Sequence, residues 1–568
     1  MPAKVLNTEF GHSAPPEGPH TITTHIQGWD NIMRLREGDK AVLARVTSIY
    51  PRFAPWNKAR ELPMKIREKL ALPPTHSALA FVNPDIFATA RLHAFSPHRG
   101  EKKLSAGDLG FRVVDIHGVR LYVVTFPLDK YAGIIGVWKD PGTGVSTRLA
   151  EYLLPHVDTL EEVPFDGSAG GEEVPLPPPP PPTWLPECEA HGKLRERIAG
   201  LLHRAALQPE AVKVQPDDVY LYPSGMASIY RACDMIGRWR RGPIVALGSI
   251  FHSTWHLFND SVDGFRHFGA CDASGNALEE LEVYLRDEAK EGRKTTFVFL
   301  EFPSNPILVS ADLKRLRQLA DTYDFLLVVD DTVGSFCNID VLPVADIVMT
   351  STTKSFSGYA DVMGGSLVLN PVSPHYAPIK AIFGTHFRNE YFAGDAEKLL
   401  SNSADFLARS AILNRNARTL ADFFHARSGA ADPSSAITRV LYPTLSDTLA
   451  NYEAAMRRPT PEFPAPGHGC LLSVEFETKD CARAFFDGLA VHHGPHLGAH
   501  VTLAVPFNEM LWGRDPEGAA YHAAYGVRAE QVRISVGLES EEELLGVVEE
   551  ALERVRELKA AEGDGDGS

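Results

Sequence analysis

The chain has 568 residues, 44% of them hydrophobic and 23% charged, with a formal net charge of -17. That length accommodates two or three domains with sizeable cores, and the acidic balance argues against nucleic acid or an anionic membrane as the main partner. Six cysteines, none in a Cys-x-x-Cys pair, speak against a zinc site and for a reducing compartment. The start, Met1-Pro2-Ala3-Lys4, has neither the apolar core of a signal peptide nor the arginine-rich look of a transit peptide. No stretch approaches the ~18 uninterrupted apolar residues of a membrane span, so a cytoplasmic protein is the expectation.

Residues 20–160 predict an N-terminal α/β unit with no catalytic signal. Within it, 121–126 and 133–138 read as strands, and 146–154 as a helix opened by Ser146 or Thr147. Tyr50-Pro51-Arg52-Phe53 reads as a packed loop, with a contact motif as the alternative. Residues 161–183 form a linker, acidic and glycine-rich over 166–173 and then proline-rich over 175–182, which favours a stiff polyproline spacer. A large α/β domain over 184–430, a smaller C-terminal α/β domain over 431–559 and a disordered tail over 560–568 complete the expected organisation.

Within the large domain, apolar runs end in polar residues again and again. Residues 219–222 lead to Ser224-Gly225-Met226, where a hydroxyl and a glycine open an amphipathic helix whose free N–H groups make an anion site. Residues 244–248 lead to Phe251. Residues 296–300 lead to Glu301 and to Asn305, held stiffly by Pro303 and Pro306. Residues 326–329 lead to Asp330-Asp331-Thr332, and 345–349 to Ser351-Thr352-Thr353-Lys354, followed by Gly358, Asp361 and Gly364-Gly365. Polar residues gathered at strand ends suit an open α/β sheet whose ligand lies beyond the carboxyl ends of its strands. Pyridoxal phosphate (PLP) uses such a set: an amine for its aldehyde, a carboxylate for its ring nitrogen, hydroxyls for its phosphate. Lys354 alone would read as a solvated lysine; the pattern around it makes it the candidate amine. Asp330 is the candidate partner of the ring nitrogen, since a buried cationic nitrogen needs a paired charge. Ser224, Thr332, Ser351 and Thr353 are further candidate cofactor contacts.

At Asp330-Asp331-Thr332, 345–348, Ser351-Thr352-Thr353-Lys354, Asp361 and Gly364-Gly365, the chain resembles the Cys/Met-metabolism PLP-dependent enzymes, the trans-sulfuration family. The likeness is nearest to the fungal cystathionine γ-synthases, which share the forms at 336–342, Ser355-Phe356-Ser357-Gly358 and Val362-Met363-Gly364-Gly365. It reaches the front of the chain only weakly, through Tyr50-Pro51-Arg52-Phe53. The resemblance implies a fold type I PLP enzyme: a large, mostly parallel-sheet domain and a smaller C-terminal α/β domain, here with an extra N-terminal α/β region. It implies the Gly225 and Met226 amides on the cofactor phosphate and Asn305 on the phenolic oxygen. It also implies Arg533, in Arg533-Ile534-Ser535-Val536-Gly537, as a fork for the substrate α-carboxylate, with Thr502 as a second substrate contact. Phe251 stands where the family usually has a tyrosine stacked on the cofactor ring, so that hydroxyl is missing; an ordinary core phenylalanine is the other reading. Family members often carry a Tyr-x-Arg pair ahead of the phosphate loop that reaches the neighbouring subunit's phosphate, and residues 188–195 contain none. An acid that many bacterial relatives place near the substrate is here Val501.

The resulting expectation is a PLP-dependent γ-replacement on an O-acyl-L-homoserine by L-cysteine, giving cystathionine in methionine biosynthesis. The partners implied are small-molecule amino-acid substrates and further copies of the chain, as a dimer or tetramer. Neither a metal nor a nucleic acid nor a membrane is expected. Sulfide addition, a lyase reaction, γ-replacement by a carbon nucleophile in secondary metabolism and transamination are the neighbouring alternatives. A noncatalytic PLP-fold binding protein is a further one, against which the joint presence of Lys354, Asp330 and Arg533 argues.

Overall fold

The structure is a computed structural model that describes residues 8–167, 176–269, 271 and 276–565. It contains three sheets, each with its own apolar core. The first is antiparallel, with strands β1 (His76–Phe81), β2 (Gly110–Ile116), β3 (Val119–Pro127) and β4 (Glu161–Val163) in the order β1-β3-β2-β4. Helices Lys58–Lys69 and Thr147–Leu153 pack beside it, and the Ser146 hydroxyl caps the second by accepting from the Leu149 N–H. The stretch 133–138, expected as a strand, is instead two short helices, Tyr131–Ile134 and Gly136–Lys139. Ile134, Val137 and Trp138 are all buried, and that three- and four-residue spacing fits one helical face. A short apolar run does not distinguish the two periods.

The central sheet has seven strands: β5 (Val219–Tyr222), β6 (Ile244–Leu247), β7 (Phe265–Phe268), β8 (Phe297–Glu301), β9 (Leu326–Asp330), β10 (Ile347–Thr350) and β11 (Gly365–Leu369). Their order is β5-β11-β10-β9-β8-β6-β7, and only β11 runs antiparallel to its neighbours. Apart from the edge strand β7, which carries Arg266 and His267, these strands are mainly apolar runs rather than alternating ones, as expected for a sheet covered on both faces. The third sheet has β12 (Ile437–Leu441), β13 (Leu471–Phe476), β14 (His492–His493), β15 (Leu503–Val505) and β16 (Gln531–Ser535) in the order β12-β13-β16-β15-β14.

The beginning of the N-terminal segment packs elsewhere. Ile26, Trp29 and Ile32, the latter two from helix Trp29–Glu37, sit in the core of the third sheet beside Phe486 and Leu489. The chain then crosses to the first sheet through Tyr50-Pro51-Arg52-Phe53. Of the expected linker, residues 168–175 lie outside the described residues. The proline run after them lies against β2–β3: Arg120 Nη1 donates to the Pro181 carbonyl at 2.8 Å and the Tyr122 hydroxyl to that of Pro180. The expected tail begins as helix, since the last element spans Glu541–Gly565; residues 566–568 lie outside the described ones. Among the described residues no helix is long and apolar enough to cross a membrane.

Candidate active site

The carboxyl ends of β5, β8, β9 and β10 open onto one cavity, whose other walls come from the Tyr50–Phe53 loop and from the third sheet. At the end of β5, Ser224 caps helix Gly225–Trp239; its hydroxyl accepts from the Ala227 N–H at 3.0 Å and donates to the Gly142 carbonyl at 2.8 Å. That hydroxyl is thereby filled from both sides, and Ser224 lies outside the cavity lining, which Gly225 and Met226 do line. A Cβ on Gly225 would stand 2.6 Å from Cβ of Ser351, so only glycine lets this helix start meet the β10 end. The first-turn N–H groups of the helix and its dipole therefore face the cavity as an anion site.

Ser351 and Thr332 line the cavity side by side, the Ser351 N–H donating to the Thr332 hydroxyl at 2.8 Å. Thr353 does not line it: its hydroxyl donates to the Gly364 carbonyl and accepts from the Gly364 N–H, both at 3.0 Å. It braces the turn that carries Lys354 rather than offering a ligand contact. Lys354 Nζ reaches into the cavity, 3.4 Å from the Tyr50 hydroxyl and 3.4 Å from Nδ1 of His496. Burial, opposed by Tyr50 and reinforced by Arg52 and Arg533, holds its pKa below that of a free lysine.

On the neighbouring strand ends, Asp330 and Glu301 are in register. Burial pushes Asp330 up to about 6, against the hydrogen bond from the Thr332 N–H, and pushes Glu301 well above the usual carboxylate range with Asp330 adding to it. Glu301 accepts the Phe251 N–H at 2.5 Å, which fixes the backbone of the half-buried Phe251. Asp331 turns away from the cavity and accepts from the Thr350 hydroxyl at 2.5 Å. Arg533, on β16, donates to the Asn305 side-chain oxygen at 3.2 Å and to the Pro495 and His496 carbonyls, while its Nε is buried without a partner. Burial lowers its pKa to about 10. Thr502, expected as a substrate contact, lies outside the cavity lining. Its hydroxyl donates to Glu539 at 2.8 Å and accepts from the Gly537 N–H at 2.9 Å, tying the end of β16 to the loop before β15.

Tyr50 and Arg52 line the same cavity, which their reading as a packed loop did not anticipate. Arg52 is 3% exposed and has no carboxylate within ion-pair reach among the described residues. Its guanidinium donates to the Ser253 hydroxyl at 3.2 Å and to the Lys139 carbonyl, and lies 5.3 Å from the centre of the Phe251 ring. A Tyr-x-Arg spacing, absent from 188–195, occurs at Tyr50-Pro51-Arg52, whose tyrosine and arginine line this cavity from within the same chain. The spacing was its signal, and its distance from the phosphate loop in sequence hid it. His496 gave no sequence signal.

These charges test the fit of PLP. Asp330 is a half-buried carboxyl with no cation beside it; Lys354 is half-buried and Arg52 buried, and neither has a carboxylate within ion-pair reach among the described residues. Isolated buried charges cost several kcal/mol unless paired. A ligand with a cationic ring nitrogen, an electrophilic carbon and a phosphate satisfies Asp330, Lys354 and the Arg52–Gly225–Met226 side together. The residues present fit the cofactor.

Comparison with known proteins agrees. The family of Cys/Met metabolism PLP-dependent enzymes matches residues 202–553. A cystathionine γ-synthase of Neurospora crassa is 35% identical, over 97% of this chain and 99% of its own length. The alanine racemase ungC of Aspergillus violaceofuscus is 37% identical, over 78% of this chain and 75% of its own. Among solved structures, a cystathionine γ-synthase from Xanthomonas oryzae pv. oryzae in complex with aminoacrylate and cysteine aligns with a TM-score of 0.51 at 23% identity, over 65% of this chain and 87% of that one. That likeness shows the fold type I α/β architecture.

Proposed function

The chain belongs to the Cys/Met metabolism PLP-dependent enzymes, and from that premise we propose that it replaces the γ-substituent of an O-acyl-L-homoserine with L-cysteine, giving cystathionine. The observation that carries the reading is the joint placement of Lys354 and Arg533. A half-buried amine and a buried guanidinium whose Nε has no hydrogen-bond partner line one cavity, so an amino acid held there by its α-carboxylate brings its α and β carbons toward the lysine. Bound here, PLP would supply the aldehyde that Lys354 holds and the ring that absorbs the electron pair left when a substrate C–H bond breaks.

The protein's own residues then have these tasks. Asp330 keeps the ring nitrogen cationic. The helix start at Gly225 and Met226, with Arg52, holds the phosphate. Arg533 grips the substrate carboxylate by charge-assisted bonds. Lys354, freed from the cofactor, would carry the α proton to the cofactor's imine carbon and, an amine again, would take a β proton, after which the γ-acyloxy group would leave and the thiol would add. Apolar side chains of Phe53, Leu497, Val505, Phe507 and Met510 line the same cavity and exclude water from these steps.

That apolar lining, together with Val501 where relatives carry an acid, supports a second reading in which the incoming nucleophile is an uncharged thiol or carbon acid. The test is O-acetyl-L-homoserine with L-cysteine in D₂O, read by mass spectrometry. Cystathionine deuterated at the α and β carbons supports the proposal. An adduct formed only with uncharged nucleophiles supports the second reading. A keto acid, or the opposite enantiomer of the added amino acid as sole product, refutes both.

A further inference from the structure

Behind the Tyr50–Phe53 wall lies a second cavity, of about 40 Å³, which the proposed reaction does not use. Tyr50, Phe53, Pro495 and Met510 line both cavities and so form the partition between them. His496, whose Nδ1 stands 3.4 Å from Lys354 Nζ, closes the second cavity on the lysine side. Its far side is Ile22 and Ile26, then Ile32 and Leu35 of helix Trp29–Glu37, and Leu503 of β15. Among the described residues its lining holds no lysine, arginine, aspartate or glutamate, and burial keeps His493 and His496 uncharged. The threonine hydroxyls and the His493 ring are taken. Thr23 accepts the Ala14 N–H at 2.9 Å, Thr24 donates to the Ser48 carbonyl, and His493 bonds the Gly28 N–H at 3.1 Å and the Leu489 carbonyl at 2.7 Å. Of the lining side chains only His496 keeps a buried atom, Nε2, without a partner. A water needs two to four polar partners, and these side chains offer it too few.

An apolar space that water does not fill costs stability, because its lining atoms lack contacts, and an apolar group entering it restores them. At roughly 10–15 Å³ for each water-sized group, this space holds about three methylenes. Met510 has three rotatable side-chain bonds, so the partition can give without a movement of backbone. We propose that the second cavity is a nucleophile subsite: it takes the alkyl arm, about three carbons long, of an uncharged thiol that the enzyme joins to the γ carbon in addition to its reaction with cysteine. In that step the bond from the γ carbon to the acyloxy oxygen breaks with its electron pair on the departing carboxylate. The S–H proton goes to solvent and a C–S bond forms. The departing carboxylate itself does not suit the space, because an anion there has no cation to pair with; the alkyl arm is uncharged throughout.

The inference rests on the γ-replacement reading, and the experiment separates the two. The holoenzyme is given O-acetyl-L-homoserine with methanethiol, ethanethiol, 1-propanethiol, 1-butanethiol or 1-hexanethiol, and separately with L-cysteine, and each thioether is followed by mass spectrometry. The KM for the thiol is expected to fall about fourfold with each methylene from methanethiol to 1-propanethiol, the worth of a buried CH₂, and to fall no further beyond it. Leu35→Phe, which fills the space from its far side, should level that series. Leu35→Ala, which lengthens the space, should extend the fall to 1-butanethiol or longer. The visible cofactor band of each variant reports that it is folded and loaded; should Leu35→Phe lose it, Leu35→Ala decides alone. A flat series in wild type, or a series that neither variant changes, overturns the subsite. So does a chain-length preference that follows the acyl group, measured with O-propionyl- and O-butyryl-L-homoserine, instead of the thiol. Cystathionine formed alongside a flat thiol series removes the subsite alone and leaves the γ-replacement reading standing. No thioether from any thiol, cysteine included, overturns both.

Discussion

Two walls of the cavity are built on different principles. The large-domain wall consists of strand ends: Asp330 closes β9, Glu301 closes β8 and in register with it, and Ser351 to Lys354 follow β10 directly. Their positions are set by backbone ladders inside a sheet buried on both faces. The opposite wall, Tyr50 to Phe53, is a loop with no ladder. It is held by side-chain bonds to its own neighbourhood, the Trp138 indole donating to the Pro51 carbonyl at 2.6 Å and Arg52 to Lys139 and Ser253. The unit that carries it is docked on the large domain through Ser224 with Gly142, and through Ser146 and Arg148 with Asp395. The first wall can lose a side chain and keep its shape. The second is a separable piece whose bonds each matter to where Arg52 sits.

Substitutions on each wall sharpen that difference. The largest effect is expected at Lys354→Ala, which removes both the visible cofactor band and turnover; a variant that keeps the wild-type spectrum would break the assignment. Next, Arg52→Ala should weaken cofactor retention. Loss of a charge-assisted bond costs about 1.5–3 kcal/mol, roughly ten- to a hundredfold in affinity, read by cofactor titration of the apo protein. Arg533→Ala should cost substrate affinity by a similar order, about ten- to a hundredfold, with cofactor titration unchanged. If Arg533→Ala releases cofactor and leaves substrate affinity alone, the roles of the two arginines are exchanged.

The smallest expected effect concerns the seam that carries the N-terminal segment. His25 and His493 are buried there, with the His493 N–H donating to His25 Nδ1 at 2.9 Å. Burial depresses His25 from 6.5 to about 4 and His493 from 6.5 to about 3. A base depressed in the folded state is protonated first in the unfolded state. The stability it contributes is complete above about pH 6.5 and falls as the pH drops from there toward 4, by up to ~1.4 kcal/mol per pH unit per histidine. Thermal unfolding at pH 7.5 and 5.5 should show that loss, and His25→Asn should reduce it. A Tm that does not fall between those values would show that the seam does not keep its histidines neutral.

Much of the strand-end wall was legible in the sequence, because an apolar run and the polar residue that ends it are neighbours in the chain. Asp330, Ser351 and Lys354 needed no tertiary information. Ser224 was found for the same reason, but its hydroxyl is taken by Gly142, a carbonyl from the N-terminal unit that no local pattern announces. Thr353 and Thr502 were drawn toward ligand roles by their neighbours in sequence, whereas each spends its hydroxyl on the protein itself. Tyr50 and His496 reach the lysine through contacts spanning 304 and 142 residues, and Arg52 joins the same cavity from as far away; local spacing does not say that such residues meet. The run at 133–138 failed differently: strand and helix periods coincide over so short a stretch.

The central claim is that the loop wall of each site belongs to the same chain as its lysine. Chains carrying Lys354→Ala and chains carrying Arg52→Ala, each with a different affinity tag, are co-expressed, and any assembly that carries both tags is purified as the hybrid. Turnover is measured at a cofactor concentration that saturates wild type but not Arg52→Ala. If the wall is supplied within the chain, every site in the hybrid lacks one of the two residues, and turnover stays at the level of the Arg52→Ala protein alone. If the wall comes from a neighbouring subunit, pairing the two chains rebuilds an intact site, and the return of a substantial fraction of wild-type turnover would contradict the account.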